Sequence, residues 1–196
     1  MRKIAIAGWL LFATVTPASA HKLIEPGPVI GIAKGSFSAT ATSTWNRLQQ
    51  KEGKFQEIWT IDGDHLNRVI FLGGVPDGEP LLTERDKKRD PLPKFAAQML
   101  LPDIPVLFER TYRSYYGTPV VEVGAMEPVT FAGEQGIRFE YGYTDTQDEV
   151  ERRGEAFAVV RNKQLFMIAF EAPKLYYFER DVGSFHALAR SVKLAR

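Results

Sequence analysis

The chain has 196 residues, 25 Lys and Arg against 24 Asp and Glu, and no cysteine. The missing cysteine excludes disulfides, a thiolate nucleophile, iron–sulfur ligation and lipidation after a leader. The balanced charge lacks the clustered basic excess of a nucleic-acid or polybasic membrane-surface protein.

Residues 1–20 read as a signal peptide: Arg2 and Lys3 lead, Ile4 to Val15 form an apolar run, and Ala18-Ser19-Ala20 supplies small residues for cleavage. The run is shorter than the roughly 20 apolar residues that span a bilayer. The mature protein is therefore expected to begin at His21, in the periplasm or outside the cell. Since Arg2 and Lys3 leave with the leader, residues 21–196 carry 23 basic and 24 acidic side chains, a formal net charge of −1. What remains is long enough for one domain with its own core. Residues 21–35, rich in Pro and Gly, are expected to be an extended lead-in, with order starting near Ser36 and a single domain filling 36–196.

Ser36 to Thr42 alternates small polar and apolar residues as a half-buried strand does, and Trp45 anchors a corner after it. Phe55 to Ile61 and Leu66 to Leu72 flank Asp62-Gly63-Asp64-His65, where Gly63 can take positive φ, and so predict a hairpin. Gly73-Gly74 is expected to end the second strand. The charged run Glu84 to Asp90 balances itself and reads as a solvated loop. A short helical turn is expected over 94–101. Ile104, Leu107, Phe108, Thr111 and Tyr115 recur at helical spacing between Asp103, placed to cap, and Gly117, placed to terminate, so a helix is predicted there.

A meander follows, with strands over 119–125, 129–131, 137–144, 153–161 and 164–171 joined by short turns that favour antiparallel neighbours. Ile137, Phe139, Tyr141 and Tyr143 share one face; Arg138 and Glu140 share the other. Val69 to Leu72, Ala156 to Val160 and Leu165 to Phe170 are apolar at both parities, so both faces need cover, which helices are expected to supply. Phe185, Leu188, Ala189 and Val192 predict an amphipathic C-terminal helix from Asp181. The expected class is α+β, one antiparallel β-sheet with packed α-helices.

That order of hairpin, helix, meander and final helix, with a Trp after the first strand and an ending over Phe185 to Leu194, resembles the PsbP-like fold, which includes extrinsic photosystem proteins, Ran-binding relatives and the periplasmic DcrB. More closely, Glu57-Ile58-Trp59-Thr60-Ile61-Asp62-Gly63, Pro91-Leu92-Pro93-Lys94-Phe95, Pro102-Asp103-Ile104-Pro105 and Tyr176-Tyr177-Phe178 are similar to a group of secreted proteobacterial proteins. The resemblance implies an extracytoplasmic location and a binding or assembly role, and it transfers no catalytic residue. No cysteine stands at the cleavage site, so the tether of lipoprotein members does not carry over.

Residues able to do chemistry are sparse. Gly183-Ser184-Phe185-His186 lacks the nucleophile-elbow spacing, and helix residues two apart point in different directions, so a Ser184–His186 dyad is not expected. No zincin or phosphate-cradling spacing occurs, and no cofactor is expected. Glu140, Asp145, Asp148 and Glu149 offer carboxylates for glycan hydrolysis, but nothing in the sequence separates their pKa values. Asp62-Gly63-Asp64-His65 lacks the further carboxylates of a calcium loop. As a metal ligand, His21 would present an α-amine and an imidazole to copper after cleavage, with His65 or His186 completing the site; without a fixed third nitrogen only weak, incidental affinity is expected. Tyr116, Tyr176 and Tyr177 are the candidate members of an aromatic contact patch. The expected function is a non-catalytic envelope binding or assembly module with an envelope protein or glycan as partner. The alternative is a metal- or carboxylate-dependent enzyme acting on envelope glycans or peptides.

Overall fold

The computed structural model describes residues 22–146 and 148–195. The leader, its cleavage site and His21 lie outside the described residues. The elements form an eight-stranded antiparallel sheet and a three-stranded one. In chain order the strands are β1 (Lys22–Ile24), β2 (Gly27–Gly31), β3 (Phe37–Ala41), β4 (Trp45–Arg47), β5 (Gln56–Thr60), β6 (Arg68–Pro76), β7 (Val121–Phe131), β8 (Glu134–Thr144), β9 (Glu151–Arg161), β10 (Gln164–Pro173) and β11 (Lys193–Leu194). The helical segments are α1 (Ile32–Gly35), a single turn left-handed at Ala33 and Lys34, α2 (Asp103–Tyr116) and α3 (Tyr177–Ser191). The large sheet runs β1-β4-β5-β6-β10-β9-β8-β7 and the small one β11-β3-β2.

Side-chain parity on the central strands divides the core in two. On β10, Leu165, Met167 and Ala169 pack with Ile104, Leu107 and Phe108 of α2; Phe166, Ile168 and Phe170 pack with Phe178, Phe185 and Leu188 of α3. This is the two-sided cover that the apolar runs require. Helices supply only part of it, because the small sheet joins α3 on its face, burying Phe37, Ala39 and Ala41. The expectation of one sheet is corrected accordingly.

Five local expectations also change. Residues 22–35 are stitched into the fold: β1 pairs with β4, β2 pairs with β3, and Ala33 donates its N–H to buried Glu57 Oε2 at 2.9 Å. Order therefore begins well before Ser36, and Trp45 sits in a paired strand rather than a corner. Strand β6 continues through Gly73-Gly74, which together face Phe166 as a bulge that leaves both Leu72 and Val75 on the α2 side. Gly74 adopts φ +71°, and a Cβ on Gly73 would lie 2.5 Å from that of Ser36. Residues 94–101 form irregular turns rather than a helix. The two short strands expected over 119–131 are one strand, β7, irregular between Val123 and Met126; Pro128 is tolerated because β7 is an edge strand.

The α2 prediction holds, with Gly117 at φ +62° ending the helix. Asp103 accepts the Leu100 N–H instead of capping its own helix. Helix α3 begins four residues before Asp181, and Phe185, Leu188, Ala189 and Val192 are buried as their spacing requires. No helix among the described residues is long and apolar enough to cross a membrane.

Candidate functional site

One row of residues crosses four strands on the α2 face. Tyr141 of β8 lies opposite Gly154 of β9, Gly154 opposite Glu171 of β10, and Glu171 opposite Arg68 of β6. Glycine at 154 is a spatial requirement, because a Cβ there would sit 2.1 Å from Tyr141 Cζ. The Tyr141 ring lies over that gap and its hydroxyl donates to Glu171 Oε2 at 2.8 Å. Tyr112 reaches the same oxygen from α2 at 2.9 Å; Tyr143 donates to Oε1 at 2.8 Å and Arg68 Nε to Oε1 at 2.6 Å. The carboxylate, 1% exposed, thus accepts from four donors, which fills its acceptor capacity.

Electrostatics follow from this enclosure. Burial is the largest influence on Glu171 and favours its neutral acid, but Arg68 and the tyrosine hydroxyls together outweigh it and hold the carboxyl below its usual range. Burial, reinforced by the Glu171 charge, pushes the phenols of Tyr112, Tyr141 and Tyr143 well above the usual tyrosine range. Tyr116 is raised too, by burial first, with Arg68 opposing.

Arg68 connects this hub to a cleft. Its Nη2 donates to Tyr116 Oη at 2.7 Å, and Tyr116 donates on to Glu52 Oε2 at 2.8 Å. Above it opens a cleft of about 370 Å³, walled by the last turn of α2, the β5–β6 turn, the 50–52 loop, Arg85 and the ends of β8 and β9. Tyr116 stacks nearly parallel on Tyr143, and Arg85 lies 4.3 Å over the Tyr115 ring. Arg152, 4% exposed, donates to the His65 carbonyl at 2.8 Å and to Asp148 Oδ2 at 2.7 Å, tying the β5–β6 turn to the β8–β9 connection. Two buried polar atoms in this wall have no hydrogen-bond partner: Arg152 Nε, 3.6 Å from Asp145 Oδ2, and Asp64 Oδ1, 3.7 Å from Arg68 Nη1.

The opposite face carries a second charged cluster. Arg138 donates to Glu155 at 2.7 Å, Glu127 at 2.8 Å and Glu140 at 3.1 Å, and His186 Nε2 lies 3.0 Å from both Glu155 oxygens. Burial raises the Glu155 pKa, but hydrogen bonds from Arg138 and His186 lead a larger opposing influence, so the carboxyl is held low. Ser184 meets Ser43 instead of His186, at 3.2 Å between hydroxyls. Glu140 is held by Arg138 and Arg153, while Asp145 and Asp148 flank Arg152 on the other face, so these carboxylates do not converge on one site.

The structure separates the three candidate tyrosines. Tyr116 lines the cleft on the α2 side, whereas Tyr176 and Tyr177 open α3 on the other side, edge to face at 5.2 Å with Arg180 over both rings. Residues 62–65 form the expected turn, Gly63 at φ +121°, tightened by Asn67 Oδ1 accepting from the Ile61 N–H at 2.7 Å. Glu171 and Arg68 escaped the sequence reading. The available signal was a charged residue at the end of each of two apolar strand runs, beside tyrosines at strand spacing (141, 143) and helix spacing (112, 116).

No family model and no curated protein matches the chain. Solved structures do. The cyanobacterial PsbP protein CyanoP of Synechocystis superimposes with a TM-score of 0.52 at 12% identity, over 95% of this chain and 99% of its own. The fold is PsbP-like. A Bacteroides thetaiotaomicron protein superimposes at 0.51 with 7% identity over 88% of this chain, which spans 50% of that longer one. LpqN, involved in cell envelope biogenesis in Mycobacterium tuberculosis, aligns at 0.31 with 10% identity over 93% of this chain and 88% of its own, too loosely to carry an argument. At these identities the likeness concerns the fold alone.

Proposed function

We propose that this chain is an exported cell-envelope protein that acts as a non-catalytic binding or assembly module, with the cleft above Arg68 as its binding site. The charged start, apolar run and Ala18-Ser19-Ala20 of the leader support export. The observation that carries the binding role is the saturation of Glu171. A general base needs a free acceptor near neutral pH, and the most buried carboxylate of the site has every lone pair occupied and its pKa held low. What the hub does is fix Arg68 and Tyr116, giving the cleft a rigid floor of the kind that lowers the entropic cost of binding. The enzyme alternative finds less support, since Glu140, Asp145 and Asp148 each face an arginine.

A photo-crosslinking residue placed at Lys51 on the cleft rim, compared in the native host with one at exposed Gln135 near the start of β8, tests the assignment. The proposal expects a discrete adduct from position 51 and none from 135. Equal adducts from both, none from either, or turnover of an envelope glycan or peptide by the purified mature protein would count against it.

A further inference from the structure

We infer that the free edge of β7 is a strand-addition surface for an extended polypeptide segment in which apolar and basic residues alternate. Strand β7 ends the large sheet, so the backbone groups on its outer side have no ladder partner. Pro128 fixes which groups these are. It has no N–H to give β8, so its backbone faces outward, and the alternation of antiparallel pairing turns Met126 outward with it. Past the irregularity between Val123 and Met126 the partners on β8 keep the same parity, so Val121 and Val123 face outward as well. An added strand pairs with such a row of donors and acceptors. Pro128 and the irregularity blunt the edge against a flat, rigid partner strand, whereas a flexible segment can follow them over Val121 to Pro128, short of the turn into β8.

The side chains of β7 supply the alternation. Met126 and Pro128 lie on the α2 side, where with Leu101, Pro102 and Ile137 they line an apolar groove of about 300 Å³, and Met126 is 52% exposed on its wall. Glu122 and Glu127 have the opposite parity and belong to the α3 side. The Glu122 carboxylate is exposed and has no partner among the described residues. Arg138 is shared by Glu127, Glu140 and Glu155, so it does not neutralise Glu127 alone and this side of the rim keeps an acidic excess. A segment laid along β7 therefore meets the apolar groove with every second residue and carboxylates with the residues between. Opposite charges across a strand pair stabilise it and like charges oppose it, which selects basic residues at the intervening positions. The same rule disfavours a second copy of this chain, whose own β7 would set glutamates against glutamates.

The test is an amide NMR titration of the mature protein with a heptapeptide alternating lysine and valine, blocked at both ends. The controls are the same peptide with glutamate in place of lysine and one N-methylated at its valines, which removes the donors that face β7 in antiparallel register. The expected result is saturable shifts at residues 101–102 and 121–128. Binding should weaken about tenfold for either control peptide, and about tenfold in Met126→Lys and Glu122→Lys, exposed positions where an unchanged melting temperature shows the variant folded. Equal affinity of the N-methylated peptide would overturn strand addition, and equal affinity of the glutamate peptide would overturn the basic partner. No binding of the lysine–valine peptide, or shifts confined to other residues, would overturn the proposal outright. Self-association of the protein that is lost in Met126→Lys, seen by sedimentation, would assign the edge to a second copy instead. The surface is separate from the cleft above Arg68, so the crosslink at position 51 tests that reading alone.

Discussion

The two faces of the large sheet each bury a glutamate, on adjacent strands, and treat it differently. Glu171 of β10 points toward α2, where it is enclosed by Arg68 and three tyrosine hydroxyls. Glu155 of β9 points toward α3, where partly exposed Arg138 and His186 hold it at the edge of a surface lattice that also engages Glu127 and Glu140. A carboxylate closed off from water must have all its acceptor sites met, and the structure around it becomes intolerant of change. Glu155 is itself only 3% exposed, but its partners reach solvent and Arg138 also holds Glu127 and Glu140, so loss of its charge leaves those partners water and other carboxylates.

The sharpest way to break the comparison is to neutralise each carboxylate. Glu171→Gln strands the buried Arg68 charge and turns an acceptor into a donor among donors; it should cost about 3 to 5 kcal/mol in urea unfolding. Phe108→Ala, which removes the ring packed on Tyr112 and Tyr141 above the same hub, should cost about 3 to 5 kcal/mol. Gly154→Ala should cost about 3 kcal/mol, because its methyl occupies space taken by Tyr141. Glu155→Gln should cost only about 1 kcal/mol, and 1 M salt should shrink that difference while leaving the Glu171→Gln loss nearly intact. Equal losses for the two glutamines would erase the distinction between the faces.

Alkaline pH sharpens it further. Tyr112, Tyr116, Tyr141 and Tyr143 have folded pKa values above the unfolded value near 10, so the folded state retains their protons longer. Their stabilisation is complete below about pH 10 and is lost as pH rises above it. Absorbance at 295 nm should show these four ionising together with loss of the far-UV circular dichroism. Ionisation of any of them in a fully folded protein, assigned with single Tyr→Phe variants, would contradict the closed hub.

Much of the scaffold was legible because its signals are local. Ile104, Leu107 and Phe108 at helical spacing, the alternation from Ile137 to Tyr143 and the short turns of the meander each specify their element without distant information. The small sheet was not, since it joins Lys193 and Leu194 to residues near position 38, and no local pattern encodes such a pairing. Residues 22–35 misled for a related reason: Pro26, Pro28 and the glycines read as breakers, yet strand partners and the Glu57 carboxylate hold them. At the site, Tyr116 was visible as a residue but its setting was not. The row Tyr141–Gly154–Glu171–Arg68 depends on the register of four strands, which turn lengths and bulges fix and composition does not.

The central claim is that Glu171 is a saturated, ionised carboxylate forming a fixed floor rather than a proton-transfer group. Its side-chain 13C resonance, followed from pH 7 downward, tests this directly. Because the folded pKa is depressed below the unfolded value near 4.5, the stabilisation is present above that pH and lost as pH falls through the folded value. The expected result is a carboxyl shift that, while the protein stays folded, has its midpoint below pH 4.5 or changes only as the protein unfolds in acid. A shift that titrates above pH 4.5 in the folded protein would show a carboxyl free to exchange protons, and would contradict the account.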